Sequence, residues 1–379
     1  MSPTVPEVES RTETPATLYV ALELSGKNWR LSMTASGTRF RSATVPVGSI
    51  SEVLRAVAKA KEKLEVAPAA KVLSCYEAGR DGFWIHRELE RAGVVNVVVD
   101  PSSIEVDRRQ RRAKTDRLDA QKLVMQLMRH AEYGDRLRKV NVPSPEDEDA
   151  RRLVREILRL KKERQSHVVR IKSLLALVGV RCKMTADFAS VLDVLRQRNG
   201  EPLPPELLGE LRREVQRLVL VRAQLRDLEN SRIVKLKQGT SRAHQIALLL
   251  MRLKGIADNA AALLAFEHYG WRAFENGKQV GACAGLVGVP FASGAVTREQ
   301  GITKAGNKRV RTMAIELAWA WIWYQPESAL TRWYTARYAN NGARQRRVGI
   351  VALARKLLVA LWRYVDQGVI PEGAIMKAV

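Results

Sequence analysis

Four carboxylates stand where a fold could gather them. Glu23 lies near the end of an apolar stretch, Leu18-Tyr-Val-Ala-Leu-Glu-Leu24, in which strand alternation puts it on the face of Tyr19 and Ala21, opposite Leu18, Val20 and Leu22. Glu77 immediately follows a second such stretch, Lys71–Tyr76. Asp116 and Asp119 lie three apart in Lys114-Thr-Asp-Arg-Leu-Asp-Ala120, at the expected start of a helix, and so share one face. Hard oxygen ligands suit Mg²⁺, and two such ions about 3.5–4 Å apart stabilise both the attacking and the leaving oxygen of a phosphoryl transfer. Acids in the first turn of a helix are also ordinary partners of its dipole, and that reading stays open for Asp116 and Asp119. Two competitors lie close by. Asp100 precedes Pro101 and reads as a turn former, and Asp107 opens a basic run, Arg108, Arg109, Arg111, Arg112 and Lys114. That run reads as a loop meeting phosphates or as a solvated loop.

The elements that must carry these acids follow from periodicity. Strands are expected at Leu18–Leu24, Trp29–Thr34 and Thr38–Val45, with Gly26 and Gly37 in the breaks, which makes an antiparallel meander. A helix around Ser51–Leu64, a strand at Lys71–Tyr76, a helix near Trp84–Ala92, a strand at Val94–Val99 and a helix from about Thr115 to His130 complete the order βββαβαβα. That order matches an RNase H-like (RuvC-like) fold, in which the four acids converge.

From Ser144 to Lys237 the pattern changes to long amphipathic helices. Leu153, Ile157, Leu160, Ile171, Leu174 and Val178 mark one stripe, and Leu207, Leu211, Val215, Leu218, Leu225 and Leu228 another. Asn199-Gly200 and the prolines at 202, 204 and 205 break the run, so an antiparallel hairpin or a dimeric coiled coil is expected. The polar faces are basic, from Arg151, Arg152 and Arg155 through Arg170 and Lys172, and read equally as solvated surface or nucleic-acid contact. The last segment, Arg242 to Val379, reads as mainly helical, interrupted by a glycine-rich passage from Gly281 to Gly306 whose length suggests function. Within it, Pro290-Phe-Ala-Ser-Gly294 reads as an exposed turn. Lys254-Gly-Ile-Ala257 resembles a helix-hairpin-helix turn that grips a phosphate, and Trp319, Trp321 and Trp323 read as core rather than as base-stacking platforms.

Composition narrows the partner. Sixty-four Lys and Arg against 40 Asp and Glu give a formal net charge of +24, a field that attracts polyanions, and nucleic acid above all. Cys75, Cys182 and Cys283 are far apart and form no CxxC pair, so neither a zinc motif nor a disulfide framework is indicated, and a reducing, cytoplasmic setting fits. The first sixteen residues read as a floppy tail with no signal-peptide pattern. Glu316 interrupts the best apolar run, so no membrane span is expected.

Five motifs together carry a resemblance: Tyr76-Glu-Ala-Gly79, Lys114-Thr-Asp-Arg-Leu-Asp-Ala120, Gly285-Leu-Val-Gly-Val-Pro290, Ser293-Gly294 and Gly301-Ile-Thr-Lys-Ala-Gly-Asn-Lys-Arg-Val-Arg311. The chain resembles the insertion-sequence transposases with a DEDD-type N-terminal domain and a C-terminal serine domain, the bridge-RNA-guided recombinases related to the Piv DNA invertase. The resemblance implies a tail (1–16), an RNase H-like domain (17–140), a coiled-coil helical region (144–240) and a C-terminal, mainly helical serine domain (242–379). It implies Mg²⁺ held by Glu23, Glu77, Asp116 and Asp119, with Ser293 as the nucleophile on DNA. The family's first acid is normally Asp, and Glu23 departs from it by one methylene. Arg298, Lys304, Lys308, Arg309 and Arg311 are then candidates for the phosphate. Donor and target double-stranded DNA, a noncoding guide RNA and a homodimer or homotetramer with sites shared between subunits are the implied partners. The alternatives are a metal-only nuclease of the Holliday-junction type and a catalytically weakened nucleic-acid-binding protein.

Overall fold

Period-two alternation builds the first sheet. In the computed structural model, which describes residues 17–104, 116–185, 187–293 and 296–377, the chain divides into two compact units, Met1–Val142 and Pro143–Val379. The first contains β1 (Thr17–Leu24), β2 (Asn28–Thr34), β3 (Phe40–Pro46), α1 (Ile50–Lys63), β4 (Lys71–Glu77), α2 (Trp84–Arg91), β5 (Val95–Val99) and α3 (Asp116–Tyr133). The sheet order is β3-β2-β1-β4-β5, with β1–β3 an antiparallel meander and β4 and β5 added parallel to β1. One face, with Leu18, Val20, Leu22, Trp29 and Leu31, packs with Val53 and Val57 of α1 and Ile85 and Leu89 of α2. The other face is covered by α3, whose Ala120, Leu123, Val124, Leu127 and Met128 recur at helical spacing and are all buried. Tyr19 and Ala21 on that face are therefore core, and Glu23 lies beyond them, half-buried. The alternation placed Glu23 with Tyr19 and Ala21, and the face they share is the one that α3 covers.

The second unit opens with α4 (Pro145–Leu177), α5 (Phe188–Val191) and α6 (Pro205–Gln238). Ser144 caps α4, its hydroxyl accepting from the Asp147 amide at 3.0 Å, and Pro145, Glu146, Asp147 and Glu148 fill a first turn suited to the helix dipole. The two long helices pair within the chain. Ile157 and Leu160 meet Val221 and Leu225, while Ile171, Leu174 and Leu175 meet Leu211, Val215 and Leu218. Lys161–Glu229 and His167–Glu214 tie the seam at 2.9 and 2.7 Å. The hairpin is thus the observed alternative, and the apolar stripe that argued for self-association is consumed by it: Ile157 and Ile171 are fully buried.

Then follow α7 (Arg242–Met251), α8 (Asp258–Leu264), α9 (Gly277–Cys283), β6 (Gly288–Ser293), β7 (Val296–Ile302), α10 (Lys308–Tyr324), α11 (Ala329–Tyr334) and α12 (Ala343–Gln367). Their core joins Ile246 and Leu250, Leu263, Val310 and Leu317, and Leu353, Leu357 and Leu361. Trp321 lies in it with its indole N–H on Ser328 at 2.8 Å, as the core reading expects, whereas Trp319 and Trp323 face outward, 51% and 80% exposed. The 254–257 turn has Gly255 at φ +90°, but the amides of Lys254 and Ile256 donate to the carbonyls of Ile375 and Leu253 and so are taken up within the protein. Among the described residues no helix is long and apolar enough to cross a membrane.

Candidate functional sites

Strand register brings the first two acids together. The parallel pairing of β1 with β4 ends at Leu22↔Tyr76, so Glu23 and Glu77 are the next residues on adjacent strands, on the same face and at the same level. Glu77 is exposed and pairs across β5 with Val99. The direction of α3 brings the third. Near its C-terminal end Glu132 hydrogen-bonds Tyr19; burial first, then this carboxylate, push the phenol up to about 12. Nearer its start, the Leu123 carbonyl lies 4.0 Å from the thiol of Cys75, which is aligned with Ala21. The helix therefore runs antiparallel to β1 and β4, and Asp119, one turn before Leu123, approaches the edge that carries Glu23 and Glu77. Asp119 is half-buried there. Asp116 is the first residue of α3, and its side chain lies outside the described residues. Among the described residues no three His, Cys, Asp or Glu side chains are grouped closely enough to hold a metal ion.

Two neighbours refine that edge. Asp100 is a turn former as expected, its carboxylate accepting from the Ser102 amide at 2.9 Å. Arg80 was not singled out in the sequence; its guanidinium lies over the turn after β1, 3.4 Å from where a Cβ on Gly26 would stand. The basic run Arg108, Arg109, Arg111, Arg112 and Lys114, with Asp107, lies outside the described residues.

In the second unit, part of the glycine-rich passage forms a β-hairpin of β6 and β7, so Pro290–Ser293, which read as part of an exposed turn, lies in a strand. Ser293 is the last residue of β6, aligned with Val296 at the head of β7, and Arg298 is aligned with Phe291. A register shift between Gly288 and Pro290 accommodates a proline that a regular ladder would exclude. After β7 the chain is pinned tightly. A Cβ on Gly306 would stand 2.5 Å from the Cys283 carbonyl and one on Gly285 2.8 Å from that of Ala305, so both positions require glycine for close backbone approach. Arg311 donates to the carbonyls of Ala284 and Lys304 at 3.1 and 2.9 Å, holding this loop from inside. Lys304, Lys308 and Arg309 are exposed. Lys308 and Arg309 occupy the first turn of α10, where cations oppose the helix dipole, so helix stability does not account for them.

Beneath this loop lies a buried polar cluster that periodicity could not reveal. Glu267, fully buried in a π-helical turn at Ala265–Tyr269, receives Arg155 of α4 through two hydrogen bonds, at 2.5 and 3.1 Å, and Asn307 at 3.1 Å. Asn307 also caps α10 by accepting from Arg309 and Val310. Burial works to raise the Glu267 pKa, but the Arg155 hydrogen bond and charge, with Asn307 and Arg151, bring it below the usual carboxylate range. Arg151 and Arg155, counted with the basic helix face, thus turn inward, and Arg151 stacks 4.8 Å from the Trp271 ring. Next to Glu267, His268 is fully buried. Among the described residues neither of its ring nitrogens has a hydrogen-bond partner; the Val280 backbone is near enough to favour the charged form but does not complete a bond. Burial first, and then Arg272, push its pKa down to about 3.

A pH dependence follows. The folded-state pKa of His268 lies below its unfolded value of about 6.5, so the unfolded chain binds the extra proton and stability is lost as pH falls below about 6.5. The slope for this group is about 1.4 kcal/mol per pH unit. Denaturant midpoints measured from pH 7 to 5 should fall in the wild type, and His268→Phe, which suits the neighbouring Tyr269 and Phe274 rings, should flatten that part of the slope. Parallel curves would show that the imidazole is not held neutral by the fold.

Comparison with known proteins adds the following. Residues 247–333 match the family model described as Transposase IS116/IS110/IS902 family. The chain is similar to "Putative transposase y4rJ" of Sinorhizobium fredii (strain NBRC 101917 / NGR234), 40% identical over 375 residues covering 95% of this chain and 94% of the relative. It is also similar to "Putative transposase y4qE" of the same organism, 28% identical over 315 residues covering 77% and 74% of the two chains.

Proposed function

The chain belongs to the IS116/IS110/IS902 transposase family, enzymes that cut and rejoin DNA, and we propose that it does so through a covalent phosphoserine link assisted by an acidic Mg²⁺ site. The observation that carries this reading is the register that sets Glu23 beside Glu77, with the start of α3 arriving at the same edge. An antiparallel meander extended by two parallel strands is the topology an RNase H-like domain requires, and it supports that assignment of the first unit. The donor chemistry suits the ion, since all four candidate ligands are hard carboxylate oxygens. Glu23, Glu77, Asp116 and Asp119 would hold it, and because Glu23, Glu77 and Asp119 are not grouped closely enough in this structure, binding would have to draw them together. When bound, the ion would supply Lewis acidity at a phosphodiester oxygen.

The Ser293 hydroxyl oxygen attacks the phosphorus and gives up its proton, while the bond to one strand's ester oxygen breaks and that strand leaves as an alcohol. The alcohol end of the exchanged strand then attacks the phosphoserine, restoring a phosphodiester and the serine hydroxyl. One ester replaces another at each step, so no external energy source is needed. Lys304, Lys308 and Arg309, with Arg298, would offset phosphate charge. Arg311 acts on the reaction through the loop it holds. The family resemblance extends the reading to a noncoding RNA that selects the target by pairing, and to a homodimer or homotetramer in which the acids of one subunit meet the serine of another.

End-labelled DNA stopped with SDS and run on a denaturing gel tests the proposal: a protein–DNA adduct that needs Mg²⁺ is expected. Cleavage with no adduct at any time would replace it with the metal-only nuclease reading. Asp119→Asn should abolish Mg²⁺-dependent cleavage and adduct while costing only about 0.3–1 kcal/mol, the usual contribution of an acid near a helix N-terminus. Retained activity in a variant that melts far lower would make the carboxylate structural.

A further inference from the structure

The last long helix lines a groove of about 1740 Å³ whose α12 wall lies outside the functional motifs and whose far side meets two of them at Leu286, Gly288, Gly301, Ile302 and Lys304. Arg344, Arg347, Arg355, Lys356 and Arg363 enter it from α12, at separations of three, seven and eight residues that return to one helix face, with Lys356 beside Arg355. Lys278 and Lys304 stand on its other walls. Among the described residues, no Asp or Glu lines the groove, and none of these seven cations has an ion-pair partner. Elsewhere on the second unit basic side chains are commonly matched, as Arg170 is by Glu210 and Arg212 by Asp193. Uncompensated positive charge around a concave surface is a field that concentrates a polyanion.

The groove is not polar throughout. Val348, Val351 and Val359 of α12 form a floor with Leu286 and Leu330, and Val348 remains 52% exposed. Trp333 lies at one side, half-buried, with the Lys356 ammonium 4.7 Å and the Arg337 guanidinium 5.7 Å from its ring. A cationic rim over an apolar, partly aromatic floor does not suit a duplex, whose surface offers phosphates and groove edges but no free base faces. It suits an unpaired strand, which can turn phosphates to the rim and bases to the floor. Arg344 and Arg363 are separated by about 28 Å of helix at 1.5 Å per residue, room for a run of several nucleotides. The groove also reaches Gly288, Gly301 and Ile302, the base of the hairpin whose far end carries Ser293.

We propose that this groove holds a single DNA strand, unpaired during transposition, and leads it along α12 to the β6–β7 hairpin. The inference rests on the chain being a transposase and not on the serine chemistry. It is tested by binding alone, so its failure and that of the phosphoserine reading are separable. Fluorescence anisotropy of the full-length protein in EDTA would compare a 20-nucleotide oligo-dT, a duplex of equal length and a 20-nucleotide oligo-U. Arg347 and Arg363 are exposed and outside the core, so Arg347→Glu/Arg363→Glu should leave the melting curve unchanged. It should weaken oligo-dT binding at least tenfold and reduce the slope of log K against log salt by about 1.4, since each single-strand phosphate contact contributes about 0.7. Duplex affinity should stay within about twofold. In the wild type, 4-thiothymidine in the oligonucleotide should photocrosslink to peptides of α11 or α12. An equal loss for duplex would reduce the groove to a general basic surface, and a loss confined to oligo-U would assign it to RNA. Unchanged nucleic-acid binding with an altered sedimentation coefficient would mean that a second copy of the chain covers the groove. Any of these three, or crosslinks confined to other segments, overturns the proposal.

Discussion

Ser293→Ala should leave no SDS-resistant protein–DNA adduct while DNA affinity stays within about twofold of wild type. The expected asymmetry comes from where the serine sits. It is the terminal residue of β6, at the head of the hairpin and away from the paired base at Gly288↔Ile302, so removing one oxygen there leaves the strand pairing in place. Non-specific affinity comes from phosphate contacts spread over many cations, and the exposed Lys304, Lys308 and Arg309 are untouched. A hydroxyl that forms the covalent link has no substitute, so the loss should be total rather than graded. Ser293→Cys is the companion: a thiol holds the position with a different nucleophile, so altered adduct yield would report on chemistry, whereas a fold defect would appear equally in both variants. An adduct of unchanged yield in Ser293→Ala would end the serine mechanism.

The contrast between legible and hidden parts has a physical origin. Every strand of the first unit was readable because its residues alternate or run apolar between glycines, and the expected Trp29–Thr34 and Lys71–Tyr76 differ from the observed strands by one residue at one end. The adjacency of Glu23 and Glu77 needed only the parallel pairing of β1 with β4, which the βαβ order implies. The β6–β7 hairpin was not readable: Pro290 and the glycines at 288, 294 and 301 punctuate it as they would a loop, and its ladder tolerates them through an irregular register. The α12 groove was hidden as well, because cations on a helix face read the same whether they border a concavity or bulk water. The Glu267 cluster was invisible for a further reason. Its members lie 112 and 40 residues from Glu267, in a buried turn with no local periodicity, and arginines at 151 and 155 look like solvated charge until their partners are located.

That cluster yields the largest expected stability effect, and its two halves should differ. Glu267 has 1% side-chain exposure, while Arg155 retains 39% and can turn toward water. Removing the arginine leaves a buried carboxylate facing only Asn307 and the more distant charges of Arg151 and Arg272. Breaking a buried pair in this way typically costs about 3–5 kcal/mol. Neutralising the acid instead, by Glu267→Gln, keeps the shape and an acceptor for Asn307 and frees Arg155 to reach solvent, so about 1–3 kcal/mol is expected. Against a domain stability of about 5–15 kcal/mol, Arg155→Met should therefore lower the denaturant midpoint much further than Glu267→Gln. Acid should narrow the gap. The folded pKa of Glu267 lies below its unfolded value, so the stability it contributes is present above the usual carboxylate range and is lost as pH falls through the folded pKa. Asn307 joins this cluster to the cap of α10. Arg155→Met, which leaves the Glu267 carboxylate uncompensated, should therefore also loosen the loop between Gly301 and Lys308, read as faster amide exchange at Arg309 and Val310, whereas Glu267→Gln, which keeps the Asn307 acceptor, should not. Equal midpoint losses for the two variants would show that the charge of Glu267 is not what holds α4 to that loop.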